Sequence, residues 1–400
     1  MLTGRPYDLI IFGASGFTGQ YVVEETARVA SDADGLRPLT WTVAGRSRTK
    51  LEEALGRAAS ALGIPELKSK ECIICDVNDP LSLAAMCQQG SVILNCVGPF
   101  LEGMQLKYDH QAADKEVYIV GSCGFDSIPA DMGVLFTRNQ LKGILTAVES
   151  FVLIKTGPEG ATFHEGTWQS AVHGISDQDN LRRLRRQFGQ KPLPVVGTKL
   201  TRRGSVFYSD TMNQYAIPFM GSDASVVKRT QRYLHENLNE SPVQYGAYVA
   251  VGGIGSVIFL MVAGFFFWCF TKCRLGRKLL IKYPEFFSFG YFTRQGPTQK
   301  QMEGTSFSMT FFGEGYPEGL NPQHGKPSVK ICTQVKGPEP GYIATPIAMV
   351  QAAVTILWEQ KSLPTRGGVY SPGAAFLKTT LIERLNTHGI EFTVISKPEA

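Results

Sequence analysis

The stretch that most restricts the fold is Tyr7 to Glu25, YDLIIFGASGFTGQYVVEE. An apolar run from Leu9 to Phe12 stops at Gly13, glycines recur at 16 and 19, and a helical pattern with Phe17, Tyr21, Val22 and Val23 follows. Strand, tight glycine turn and helix in direct succession form the arrangement that cradles a dinucleotide pyrophosphate. Gly13 lets the chain turn, and Gly16 lets backbone N–H groups approach the anion. Gly19 lets the helix lie close on the strand, with its positive N-terminus facing the phosphates. The spacing is G-x-x-G-x-x-G rather than G-x-G-x-x-G. The cofactor-binding residues expected from this loop are Gly13, Ser15, Gly16, Phe17, Thr18 and Gly19. The competing reading is a glycine-rich turn that holds no ligand.

A second strand is expected over Leu39 to Ala44, with Gly45 starting a turn into Arg46, Ser47, Arg48 and Lys50. NAD-binding folds usually carry an acidic residue here for the ribose 2′-hydroxyl. An arginine instead suits a 2′-phosphate, which carries up to about two negative charges and accepts a guanidinium bidentately. Arg48 and Lys50 stand in the first turn of the next helix, where the dipole disfavours cations unless an anion lies nearby. The pattern selects NADP(H), with NAD second. CIICDV reads as a third strand ending at Asp76, a position for the adenine. Asp79-Pro80 reads as the cap of PLSLAAMCQQG. SVILNCVGPF is a fourth strand whose end, Asn95, Val97, Gly98 and Pro99, fits the ligand side of a doubly wound sheet. Four strand–helix repeats in about a hundred residues imply a parallel α/β sheet.

At 400 residues the chain is too long for one compact core and divides into two domains or more. A net charge of +5 is small for this length and gives no case for nucleic acid. The eight cysteines show no disulfide framework, and the lone Cys72-x-x-Cys75 lies on a strand, where residues three apart face opposite ways. Core cysteines and no metal site are expected. MLTGRPYDLII is neither a signal peptide nor a mitochondrial transit peptide, so a reducing, cytosol-facing chain is expected.

FGASGFTG, AGRSRTKL, ILNCVGPF and above all GSCGFDSIPADMG (121–133) resemble the saccharopine dehydrogenase-like oxidoreductase family. IPFMGSDASVVKRTQRYL, QGPTQK and GPEPGYIATPIAMVQAA are similar to its animal branch, so the resemblance spans nearly the whole chain. It implies a Rossmann domain, a second α/β domain and an NADP-linked reductase or dehydrogenase, without naming a substrate. One departure stands out. Phe100 runs directly into LEGMQLKYDHQAADKEVYIVGSCGFDS, where the family carries a further helix and strand ending near D-x-x-G-E. The chain resembles a shortened form, and the lost unit would lie where nicotinamide and substrate meet. Residues 101–115 can still supply a helix and Val117 to Gly121 a strand, enough to close a shorter sheet.

In GFDSIPADMG, Asp126 and Ser127 read as a turn and cap for a helix from Asp131 to Asn139. The functional reading places Ser122, Asp126 and Ser127 near a reacting centre. No Tyr-x-x-x-Lys pair accompanies them, so the catalytic residue stays unassigned. TAVESFVLIK opens the second domain's sheet, which Thr305 to Phe312 and Lys330 to Lys336 complete. The arginines at 182, 183, 185 and 186 form a solvated face, with contact to anionic lipid the minority reading.

Tyr245 to Phe270 carries no charged residue, and Lys272, Arg274, Arg277, Lys278 and Lys282 follow it. The run exceeds the roughly twenty residues that cross a bilayer. A single crossing would leave strands of one sheet on opposite sides. A hairpin or an in-leaflet helix is therefore ranked first, a buried or dimer helix second and a true span third.

The expected domains are 1–140, the NADP-binding Rossmann unit; 141–342, an α/β domain carrying the apolar segment; and 343–400, helices and a strand packed back on the body. The leading function is an NADP-dependent oxidoreductase at the cytosolic face of a membrane or lipid droplet, acting on a lipophilic or acyl-type substrate. A nucleotide-binding scaffold without turnover, and an amino-acid dehydrogenase of saccharopine type, are the alternatives. Self-association is left open.

Overall fold

The computed structural model describes residues 4–31, 38–97, 103–177, 183, 186, 191–320, 322 and 325–397. Two compact units emerge. The first comprises Met1–Pro99, Gly341–Leu363 and Lys378–His388; the second comprises Phe100–Pro340, Pro364–Leu377 and Gly389–Ala400.

In the first unit, β1 (Tyr7–Phe12), β2 (Trp41–Gly45), β3 (Cys72–Ile74) and β4 (Gly90–Asn95) form a parallel sheet in the order β3-β2-β1-β4. Helices α1 (Phe17–Ser31), α2 (Arg48–Leu62) and α3 (Pro80–Gln89) alternate with the strands, and α12 (Thr345–Trp358) and α14 (Leu381–Thr387) return later in the chain. Alternation along the strands builds the core. Leu9, Ile11 and Val43 pack with Val22 and Val23 of α1, Leu51 and Leu55 of α2, and Val350 and Val354 of α12. Ile10, Phe12 and Ala44 point the other way, to Cys75 and Met86. Each fully buried branched side chain contributes about 1.5–3 kcal/mol, so the returning α12 is a substantial part of the unit. Cys72 belongs to the first face and Cys75 to the second, as a three-residue spacing on a strand dictates.

The second unit opens with α4 (Gly103–Asp114), β5 (Tyr118–Val120) and α5 (Ile128–Gln140). Its main sheet runs β15-β13-β12-β6-β10-β9-β8. These strands are β6 (Ile144–Lys155), β8 (Phe207–Ser209), β9 (Gln214–Pro218), β10 (Gln244–Gly252), β12 (Ser306–Tyr316), β13 (Val329–Pro338) and β15 (Glu391–Ser396). Helix α5 lies on one face. A Cβ on its Gly133 would stand 2.2 Å from the Phe311 ring, and Thr137 and Thr333 share a 2.6 Å hydroxyl hydrogen bond. On the other face Phe151, Tyr248 and Ala216 gather with Phe207 and Phe312. The remaining elements are β7 (Phe163–His164), α6 (Glu165–Ser176), α7 (Asp223–Leu238), α8 (Ile254–Lys272), α9 (Arg274–Lys282), α10 (Pro284–Phe287), β11 (Phe292–Thr293), α11 (Gln299–Glu303), β14 (Gly368–Tyr370) and α13 (Pro372–Phe376).

Three expectations need correction. The strand after α4 forms but does not prolong the first sheet: β5 pairs in parallel with β14, a partner within its own unit. Tyr245 to Phe270 is not one apolar segment. Gln244–Gly252 is an interior strand between β6 and β9, and the chain then breaks at Gly252, in the left-handed region at φ +75°, before α8 begins. Lack of charge is common to a buried strand and a membrane helix, so the run did not separate them. Ser127 holds the N-cap position of α5 without capping it, its hydroxyl donating instead to the Asp126 carbonyl.

Candidate nucleotide and polar sites

Parallel pairing brings the carboxyl ends of all four strands of the first unit to one edge, with Phe12 opposite both Ala44 and Asn95. The turn after β1 is pinned from both sides: the Gly13 N–H donates to the Ala44 carbonyl at 2.9 Å and the Cys96 N–H to the Phe12 carbonyl at 2.8 Å. Gly13 has φ +83°, and a Cβ on it would meet Val97 Cγ2 at 2.7 Å. A Cβ on Gly19 would lie 2.2 Å from the Gly13 carbonyl oxygen, so α1 packs this close to the strand only without a side chain there. Gly16 is exposed at the mouth, and its N–H donates to the Gly13 carbonyl at 2.9 Å. Helix α1 starts at Phe17, presenting its first N–H groups and positive dipole end beside the loop, with Ser15, Phe17 and Thr18 at the rim. This cradle fits a pyrophosphate.

Arg46 follows β2 and is exposed. Ser47 caps α2, its hydroxyl accepting the Lys50 N–H at 3.4 Å, and exposed Arg48 is the first helical residue. The basic side chains of this turn therefore face solvent at the ligand edge. Asp76 and Asn95 are partly committed to their own turns. Asp76 Oδ1 accepts the backbone and side-chain N–H groups of Asn78 at 2.9 and 3.1 Å, and Asn95 Oδ1 accepts the Val97 N–H at 2.9 Å. Gly98 and Pro99 lie outside the described residues.

A contact that sequence reasoning missed backs the loop. Tyr342, in a π-helical turn at Pro340–Ala344, packs edge-on against Phe17 at 4.8 Å between ring centroids and against Tyr21 at 5.7 Å. Its signal was the stretch GPEPGYIATP, a family-like segment with no obvious chemistry.

The catalytic candidates belong to the second unit. Ser122 is exposed in the left-handed region, φ +64°, an uncommon conformation for a serine. Asp126 retains exposed surface, yet packing around its carboxyl raises it above the ordinary range, while its carbonyl accepts the Ser127 and Ser222 hydroxyls at 2.6 and 2.7 Å. Ser127 is buried. Burial pushes the Cys123 thiol up to about 12, so it is no thiolate at neutral pH. Among the described residues no group of three or more His, Cys, Asp or Glu could hold a metal ion.

A cluster in this unit escaped the sequence entirely. Asp131 is fully buried; its Oδ2 accepts the Thr230 hydroxyl and the Gly373 N–H, both at 2.7 Å, while Oδ1 has no partner among the described residues. Burial pushes its carboxyl up to about 7, against the opposing pull of those two donors and of the Arg229 charge. Asp223, also fully buried and with neither carboxylate oxygen hydrogen-bonded among the described residues, is pushed well above the ordinary range by burial and by the charges of Asp126 and Asp131.

Comparisons with known proteins agree with the first-unit geometry. The saccharopine dehydrogenase NADP binding domain family matches residues 9–119, so the cofactor is NADP. The human saccharopine dehydrogenase-like oxidoreductase is 57% identical over 423 aligned positions, covering 99% of each chain. With 400 residues here, that relative carries residues this chain lacks. A Caenorhabditis elegans protein named "Lipid droplet localized protein" is 34% identical over 98% of this chain and 99% of its own. The solved structure of apo saccharopine dehydrogenase (L-Glu forming) from Saccharomyces cerevisiae has a TM-score of 0.53 at 9% identity, covering 98% of this chain and 100% of that one, a likeness of fold. By sequence identity over nearly its whole length, joined to an NADP-binding unit of the matching fold, this chain belongs to the saccharopine dehydrogenase-like oxidoreductases, NAD(P)-dependent enzymes.

Proposed function

We propose that this NADP-linked oxidoreductase works at a lipid surface, on the cytosolic side, and acts on a lipophilic or acyl-type substrate. NADP supplies or accepts the hydride; the glycine loop would hold its pyrophosphate, and Arg46 its 2′-phosphate. The observation that carries the reading is α8. Nineteen residues long, it is about 28 Å at 1.5 Å per residue, and only 11% of its apolar window is buried. Ile258, Phe265, Phe266 and Trp268 are each at least half exposed. A soluble surface rarely leaves so large an apolar patch bare. By contrast the stretch 340–358, the π-helical turn together with α12, is equally long but less apolar and mostly buried, and reads as a core helix.

Topology favours a helix lying in one leaflet. Strands before α8 (β6, β9, β10) and after it (β12, β13) belong to one hydrogen-bonded sheet, so a single crossing would tear that sheet apart. The C-terminal part of α8 is tied to its own unit, with Phe267 on Trp168 at 4.7 Å and Phe270 on Phe287 at 5.1 Å. Insertion tip-first at the turn into α9 would bury Lys272, Arg274, Arg277 and Lys278 at roughly 2.5–3.5 kcal/mol each. Lying flat, the helix immerses its aromatic side and leaves those cations among headgroups. The worm relative's name is in keeping with this reading.

A second reading, a nucleotide-binding scaffold without turnover, draws on the first sheet, which among the described residues ends at β4. One experiment addresses both: flotation with phospholipid-coated triolein droplets, followed by NADPH consumption with a long-chain enal. The wild type should float and oxidise NADPH, and Phe265→Asp with Phe266→Asp should leave it in the soluble fraction. Equal flotation of the double variant would remove α8 as the anchor. Flotation and NADPH binding with no consumption of any lipophilic carbonyl would favour the scaffold.

A further inference from the structure

The second unit contains a polar cavity of about 320 Å³ that neither the cofactor nor the lipid surface accounts for. Ligand pockets run from roughly 300 to 1,000 Å³, so it suits a small molecule. One wall is α7, which contributes Arg229 and Tyr233; the other is β14 with its flanks, which contribute Arg366, Tyr370 and Ser371. From α4, Asp109 is the single carboxylate of the lining, against two guanidinium groups.

The walls are fixed by hydrogen bonds that do not involve the cavity. Asp109 Oδ1 accepts the Val369 N–H at 2.9 Å, and the Tyr118 and Tyr370 hydroxyls donate to the carbonyls of Pro364 and Arg366, each at 2.7 Å. Ser371 shares a 2.6 Å hydrogen bond with Thr230, which in turn donates to buried Asp131. Tyr233 and Tyr370 meet edge to face at 5.6 Å, giving an aromatic floor. Asp109 does not hold Arg366 tightly: their nearest N and O atoms are 3.7 Å apart, beyond hydrogen-bond distance, and the arginine side chain is 58% exposed.

We propose that this cavity binds a small organic anion, a carboxylate or a phosphate ester, with its charged head between Arg366 and Arg229 and its body against the two tyrosines. Guanidinium groups recognise both heads through paired N–H donors, and the fixed walls reduce the cost of ordering the site. Two guanidinium groups against one carboxylate in the lining disfavour a metal ion or an amine.

Calorimetric titration of the full chain with glutarate and, separately, phenyl phosphate tests this. At least one should bind saturably at millimolar concentration or below, and the responding probe identifies the head group. Arg366→Glu, at an exposed position, should weaken binding about tenfold or more, the loss expected for one charged hydrogen-bonded contact. Tyr233→Ala should weaken it further for phenyl phosphate than for glutarate. Arg46→Glu, in the nucleotide-binding unit, should change neither. Absence of saturable binding by both probes would overturn the proposal, as would binding that survives Arg366→Glu but is lost in Arg46→Glu, which would place the anion on the glycine loop.

Discussion

Arg46 is exposed directly after β2, at the edge where the glycine loop opens, and its neighbour Ser47 is spent on capping α2. Arg46→Asp should therefore weaken NADPH by about ten- to a hundredfold, one or two charged hydrogen bonds, while NADH holds or improves. Fluorescence titration reads both, and equal losses would mean that the residue supports the loop rather than the 2′-phosphate. This position was legible because it depends only on local order, strand then turn. Asp131 was not, because its environment is assembled by Thr230 and Gly373, 99 and 242 residues away. Its carboxyl sits at about 7 in the fold against an ordinary 3.8. The folded chain thus keeps a proton that the unfolded chain releases, so this group's contribution to stability is full below about pH 4 and is lost as pH rises to about 7. Asp131→Asn removes that slope. Relative to wild type, the variant should gain on the order of 4 kcal/mol between the two ends of that window, measured by denaturant unfolding. A difference that stays constant with pH would show that the carboxyl is not held protonated.

Elements with a strong local period were readable, and those defined by distant partners were not. β1, β2 and β4 announced themselves as apolar runs closed by glycine or polar turns, and α3 by Asp79, whose side chain accepts the Leu81 N–H at 3.0 Å ahead of Pro80. The 26 uncharged residues from 245 to 270 divided where hydropathy gave no sign but backbone chemistry did, at Gly252 and Gly253. Strand formation before that break follows from two hydrogen-bonding neighbours, β6 and β9, which no local pattern names. β5 makes the same point from the other side. Its sequence says strand, but only β14, almost 250 residues later, says which sheet. The helices near the C-terminal end, α13 and α14, are separated by four residues in sequence yet fall in different units.

At the scale of the molecule, a first sheet of four strands among the described residues has a consequence for cofactor binding that can be measured in parts. In a doubly wound sheet the dinucleotide lies across the strand ends, its adenosine half on one side of the first strand and its nicotinamide half on the other. Here β2 and β3 flank β1 on one side, with Arg46 and Asp76 at their ends, whereas β4 is the one strand on the other side among the described residues. The alignment with the human relative needs 423 positions against 400 residues here, so that relative has additional chain. Adenosine 2′,5′-bisphosphate carries the ribose phosphate and adenine without nicotinamide. On this chain it should bind within a few-fold of NADP, because the retained strands supply most of the contacts. On the human relative NADP should exceed it by a much larger factor. Calorimetry of both ligands on both proteins decides the matter by a ratio, which cancels any general difference in stability. A ratio near unity here would locate the loss in the nicotinamide half and predict hydride transfer slower than in the relative. The same large ratio in both proteins would mean that this chain still grips the nicotinamide, and the scaffold reading would then have lost its physical basis.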